Sequence, residues 1–95
     1  MKTTVSNAFG VPNQFVIEDG NKTIFQSYNS IIVVIENQEV EGSDGHKFTC
    51  KRVTLGKDWN YSRTTSKYRS KFLNETTKET ESKIKSGEYV IDNSL

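Results

Sequence analysis

The chain has one cysteine, Cys50, one histidine, His46, and one proline, Pro12, and its longest apolar run is Ile31 to Ile35. A lone cysteine excludes an internal disulfide, which makes a reducing compartment the simplest home. With one His and one Cys, the usual catalytic dyads and triads lack partners. No Gly-rich phosphate loop or nucleophile motif is present either, so the expectation is a protein that is not an enzyme. The Ile31 to Ile35 run is far too short to cross a bilayer, and no basic segment followed by a long apolar run opens the chain. These absences predict a soluble, intracellular protein with no membrane partner.

What is present is enough for one thin core. The chain has 95 residues, of which 33% are hydrophobic and 26% charged, with five Phe, four Tyr and one Trp. That length predicts a single domain over 1–95, with no room for a deep substrate cavity. The net charge of +1 conceals a segmental asymmetry. Residues 1–45 carry two Lys against six acids, residues 46–73 carry eight Lys or Arg against Asp58 alone, and residues 74–95 carry three Lys against five acids. The basic middle third can steer an anionic partner by its local field, unless the acidic first third folds beside it and neutralises it.

Local patterning predicts an α+β fold: a small antiparallel sheet of four to five strands with one or two helices packed on one face. Residues 1–13, with Gly10 and Pro12, read as a loosely held arm or a peripheral strand. Residues 14–55 are β-rich. Two β-prone runs flank Asp19-Gly20-Asn21, a strong hairpin signal that places strands near 14–18 and 22–28. The unbroken run IIVVIE suits a strand buried on both faces. The polar stretch that follows, with Gly42 and Gly45, reads as a long mobile loop. Alternation returns in HKFTCKRVTL, with Phe48, Cys50, Val53 and Leu55 as inward candidates.

After Gly56 the period changes from two to about 3.6, which makes residues 59–86 helical. Ser62 is a candidate N-cap, and Tyr61, Thr65, Tyr68 and Phe72 share one face, while Arg63, Lys67 and Lys71 form a separate stripe. Thr76 with Glu79 matches a capping box, and Gly87 suits a C-terminal cap. Residues 88–92 are positioned to add an edge strand.

Three kinds of chemistry follow from these residues. The helix cations Arg63, Lys67, Arg69 and Lys71 are the first candidate partner-binding surface, and Glu39, Glu41 and Asp44 form a second for a basic partner. Lys47, Lys51, Arg52 and Lys57, with Trp59 and Tyr61 as stacking platforms, make an alternative nucleic-acid surface, although no recognised DNA- or RNA-binding signature accompanies them. In an extended strand Asp44, His46 and Cys50 would project to one face, and all three are competent zinc ligands. Three ligands fall short of a closed site, so no cofactor is expected, with zinc as the one candidate metal.

The stretches FQSYNSIIVVI, TLGKDWNYSRTTSKYRSKFLNE and IKSGEY resemble a group of short phage and mobile-element proteins of Gram-positive bacteria. Those proteins share a Trp-x-Tyr-Ser-x-Thr-Thr-Ser-Lys-Tyr run before Phe-Leu and a closing Gly. The likeness spans about residues 14–89, and Thr-Thr-Ser-Lys-Tyr, residues 64–68, is its most distinctive part. It implies a genomic setting and not the role of any one residue. Small accessory proteins of that setting often inhibit host defence, anti-CRISPR proteins that block an RNA-guided nuclease among them. The resemblance therefore implies a host defence protein, such as a CRISPR nuclease, as partner, and the host bacterial cytoplasm as location.

Overall fold

A computed structural model describes residues 3–95, and it forms one six-stranded sheet with two helices. The strands are β1 (Thr3–Asn7), β2 (Gln14–Asp19), β3 (Lys22–Ser27), β4 (Ser30–Glu41), β5 (Lys47–Gly56) and β6 (Tyr89–Asp92). They lie in chain order across the sheet. The first five form an antiparallel meander, and β6 joins β5 in parallel. A parallel neighbour needs a long crossover, and α1 (Arg63–Leu73) and α2 (Thr77–Ser86) supply it. The sheet is thus α+β as expected, but mixed and larger than four to five strands. The enlargement comes from pairings no local signal encodes: β1 on the β2 edge, and β6 returning beside β5.

The local signals that were read are present as hydrogen bonds. Gly20 turns the β2–β3 hairpin at positive φ. Ser62 caps α1, its hydroxyl accepting from the Thr65 amide at 3.2 Å. Thr76 and Glu79 form a reciprocal capping box on α2, and Gly87 ends that helix in the left-handed region. Residues 3–7 take the peripheral-strand form of the two readings of the N-terminal segment; Met1 and Lys2 lie outside the described residues.

The run IIVVIE has a different cause from the one its composition suggests. Phe25 pairs with Val33 and Gln26 with Ile31, so Ile32 is an extra residue in β4. A bulge of this kind directs two successive side chains to one side. Ile32 and Val33 are accordingly both buried, and with Phe25, Leu55, Ala8 and Tyr89 they make the core. Tyr68, Phe72 and Leu73 of α1 and Ile84 of α2 pack on it from one side of the sheet. Among the described residues no helix covers the opposite side.

The predicted mobile loop after Glu36 is mostly strand. β4 continues to Glu41 and pairs with β5 as far as Glu41↔Lys47, leaving only residues 42–46 as the turn. Beyond Glu36 neither strand has a second neighbouring strand among the described residues, so this is a two-stranded ribbon. Its side chains have no layer to pack against, and Phe48 and Cys50, read as inward, are exposed. Val53 and Leu55, farther along β5, do face the core.

The helical layer is pinned to the sheet by Glu75, between α1 and α2, whose side chain is only 3% exposed. It accepts hydrogen bonds from Lys83 Nζ at 2.7 Å and Thr80 Oγ1 at 3.0 Å. Lys83 also lies over the Tyr89 ring on β6, 5.2 Å from its centroid. Burial raises the affinity of the Glu75 carboxyl for its proton, but the hydrogen bonds from Lys83, Tyr89 and Thr80, with the Lys83 charge, more than reverse this and hold it below the usual carboxylate range. The same bond pushes the Lys83 ammonium above the usual lysine range. A carboxyl depressed on folding contributes stability that is complete above its unfolded pKa and is lost as pH falls through its folded pKa. Denaturant melts at successive pH values should therefore show wild-type stability declining below about pH 4. Glu75→Gln should lower stability at neutral pH by about 2 kcal/mol and lose that share of the acid decline.

Candidate anion-binding interface

Helix α1 separates its side chains cleanly. Thr65 and Arg69 are buried, Tyr68 and Phe72 are half-buried against the core, and Arg63, Lys67 and Lys71 are exposed at four-residue steps. Three contacts set the rotation of the helix. Thr65 Oγ1 meets Ser27 Oγ on β3 at 3.3 Å, Phe72 stacks on Phe25 at 5.3 Å, and Tyr68 stacks on Phe9 at 5.7 Å. Phe9 also meets Phe25 edge-on, in a 3-10 turn at Ala8–Gly10 where Phe9 takes a positive φ. The outward stripe is thus the geometric complement of the stack beneath it.

Lys67 and Lys71 stand over the Tyr68 ring at 5.5 and 5.4 Å, and Lys71 lies 6.0 Å from Phe9. Neither lysine, nor Arg63, has a carboxylate within ion-pair distance among the described residues. The first turn of α1 carries no acid. The result is a cationic ridge with an aromatic base, able to hold an anion without first breaking an internal salt bridge.

Arg69 is not part of that ridge. Its side chain is fully buried, where its Nη1 donates to the Trp59 carbonyl at 2.7 Å and to Asn60 Oδ1 at 3.3 Å. Its Nη2 donates to Thr77 Oγ1 at 2.7 Å and to Ser70 Oγ at 3.4 Å, and the guanidinium lies 5.0 Å from the Trp59 ring. Burial lowers its pKa, while the charges of Glu75 and Glu81 oppose the change. The reason was present in the spacing: position 69 is four beyond Thr65 and belongs to the inner stripe. Trp59, proposed as a stacking platform, is half-buried beneath Arg69 and staples the segment before α1 to the core.

The remaining basic residues are dispersed. Lys47 and Lys51 lie on the helix side of the ribbon, among Glu39 and Glu41, and Arg52 lies on the other side, paired across the strands with Glu36. Here the acidic first third does sit beside the basic block, so β5 presents mixed charge. Lys57 is exposed in the connection to α1. Asp44 and His46 occupy the turn, outside strand β5: Asp44 Oδ1 accepts the His46 amide at 3.1 Å and Oδ2 stands 3.8 Å from Nε2. Cys50 lies four residues along β5, about 13 Å away by strand rise. The common face expected for Asp44, His46 and Cys50 does not form, and no group of three or more His, Cys, Asp or Glu side chains is gathered among the described residues.

Two further rings are exposed. Tyr61, a candidate both for stacking and for the aromatic helix face, is 79% exposed because it precedes the N-cap and so lies outside that face. Tyr28 is exposed in the β3–β4 turn at positive φ. The flanking Ser27 bonds Thr65, and Ser30 Oγ donates to Asp58 at 2.9 Å, which brings that turn to the end of the sheet where α1 begins.

A family model described as "Family of unknown function (DUF8033)" matches residues 2–88, and the chain belongs to that family. No curated protein and no solved structure matches it.

Truncating Arg69 should leave Thr77 Oγ1 and the Trp59 carbonyl without their donor and open a cavity under both helices. Arg69→Ala should destabilise the fold by about 3 kcal/mol in denaturant melts. Arg69→Lys should recover less than half of the loss, because one ammonium cannot span both partners.

Proposed function

We propose that this DUF8033 protein is a non-enzymatic binding protein that holds a negatively charged partner against the outer face of α1. The observation that carries the reading is the row Arg63, Lys67 and Lys71, exposed, evenly spaced and free of carboxylates among the described residues. Cations left uncommitted on a rigid helix lose little on meeting an anion, and they accelerate encounter by steering.

The resemblance to phage and mobile-element proteins supplies the setting. In it the partner is a host nucleic-acid-targeting complex, an RNA-guided nuclease above all, and the protein inhibits by occupying a surface that nucleic acid or a moving domain requires. The most distinctive part of that resemblance, residues 64–68, lies within α1 and includes Lys67. Steric and electrostatic blocking needs no catalytic group.

A second reading, direct and weakly specific binding of DNA or RNA, is favoured by one observation: Tyr61 and Tyr28 are exposed at the end of the sheet where Arg63 begins α1. Bases stack on exposed rings while cations follow the backbone.

Reversing Arg63, Lys67 and Lys71 to Glu together should leave the thermal midpoint within a few degrees of wild type and weaken inhibition of a reconstituted nuclease at least tenfold. Undiminished inhibition by that variant would remove α1 as the contact. A gel shift with a plain single strand separates the readings. Three phosphate contacts predict a loss of roughly twentyfold in affinity between about 50 and 200 mM salt, and no shift at the lower salt excludes direct binding.

A further inference from the structure

The side of the sheet away from the helices is apolar where a solvated face would be polar. Register links Val5, Ile17, Ile24, Val34, Thr54 and Val90 in one row across all six strands. Val5 is 59% exposed and Val90 44%. A one-sided antiparallel sheet ordinarily alternates apolar inward with polar outward. Here five of the six outward positions in the row are aliphatic. A second row beside it, Asp19, Lys22, Glu36 and Arg52 on β2 to β5, alternates in charge.

Both rows share a centre midway between β3 and β4. Rotating the molecule by half a turn about an axis parallel to the strands, lying directly over that centre on the open side of the sheet, brings two open faces together. The operation places Asp19 opposite the partner's Arg52 and Lys22 opposite the partner's Glu36. It likewise sets Ile24 on Val34, Ile17 on Thr54 and Val5 on Val90. Arg52 has no carboxylate within ion-pair distance among the described residues. A shallow depression of about 270 Å³ lies on this face, lined by Val34, Glu36, Arg52, Thr54 and Leu95 among others. The partner's Ile17 is the side chain the rotation brings over it.

We propose that the open face is the contact between two copies of this chain, joined face to face as a two-fold sandwich. Five strand spacings of about 4.8 Å, by about 20 Å along the strands, give roughly 500 Å² per copy, near the lower limit for a specific interface. The dimer is therefore weak and concentration-dependent. Its geometry leaves both α1 helices on the outside, so it presents two cationic ridges facing opposite ways. The inference does not depend on what those ridges bind.

Sedimentation equilibrium on the full chain over about 5–500 μM should show a rise from 10.8 kDa towards twice that mass. A single 10.8 kDa species throughout overturns the proposal. Arg52→Glu and Asp19→Lys should each weaken association about tenfold or more, by setting like charges opposite one another. An equimolar mixture of the two variants should associate again, because each restores the other's pair. Within one chain these residues are three strand spacings apart, about 14 Å, so rescue by mixing can arise only across the interface. A dimer indifferent to both changes, or a mixture that stays monomeric while both variants show wild-type circular dichroism melts, overturns this arrangement. Should either variant fail to fold, Val5→Glu, at an already exposed position, gives the same reading: severalfold weaker association supports the contact, and unchanged association overturns it.

Discussion

A guanidinium sealed beneath two helices organises the half of the molecule that follows the meander. Among the described residues Arg69 has no carboxylate within ion-pair distance; its charge is met by the Trp59 carbonyl, Asn60, Ser70, Thr77 and the face of the Trp59 ring. Together they span three pieces of the crossover: Trp59 and Asn60 in the segment leaving β5, Ser70 in α1 and Thr77 at the start of α2. A planar fork with five donors can reach them at once, which an ammonium cannot. Because the group is desolvated, every bond left unmade would be costly, and the three pieces are held in one arrangement.

That arrangement decides the charge map. With Thr65 and Arg69 turned inward and Phe72 stacked on Phe25, helical geometry leaves no alternative but to turn Arg63, Lys67 and Lys71 outward. The ridge is a consequence of packing beneath it. The cations of β5, although contiguous with those of α1 in the chain, reach a different end. Antiparallel pairing with β4 interleaves them with Glu36, Glu39 and Glu41. One basic block in the chain becomes a clean ridge on the helix and a mixed field on the ribbon.

The two sides of the sheet also divide labour. One is covered by helices whose packing groups are few and aromatic, and the other carries no helix among the described residues yet keeps a row six strands wide, aliphatic at five of its six positions. A small chain with a thin core gains most from burying such a row against a second layer. Placing the helices on one side and a second sheet on the other gives each face its own partner and keeps the ridge in solvent.

The sequence by itself determined the features whose causes lie within about four residues. These are the Gly20 turn, the Ser62 cap, the Thr76–Glu79 box, the Gly87 terminus and the spacing of Arg63, Lys67 and Lys71. Such features depend on φ preferences and on backbone groups a side chain can reach locally. Tertiary structure alone decided the β1–β2 and β5–β6 pairings, the ribbon in place of a loop, and the separation of Asp44 and His46 from Cys50. It also decided that position 69 holds a buried clamp, although the spacing already placed it on the inner stripe, because arginine's usual place is at the surface. Strand partners and registers are chosen by contacts far apart in the chain, and one step of register exchanges the faces of every residue in a strand.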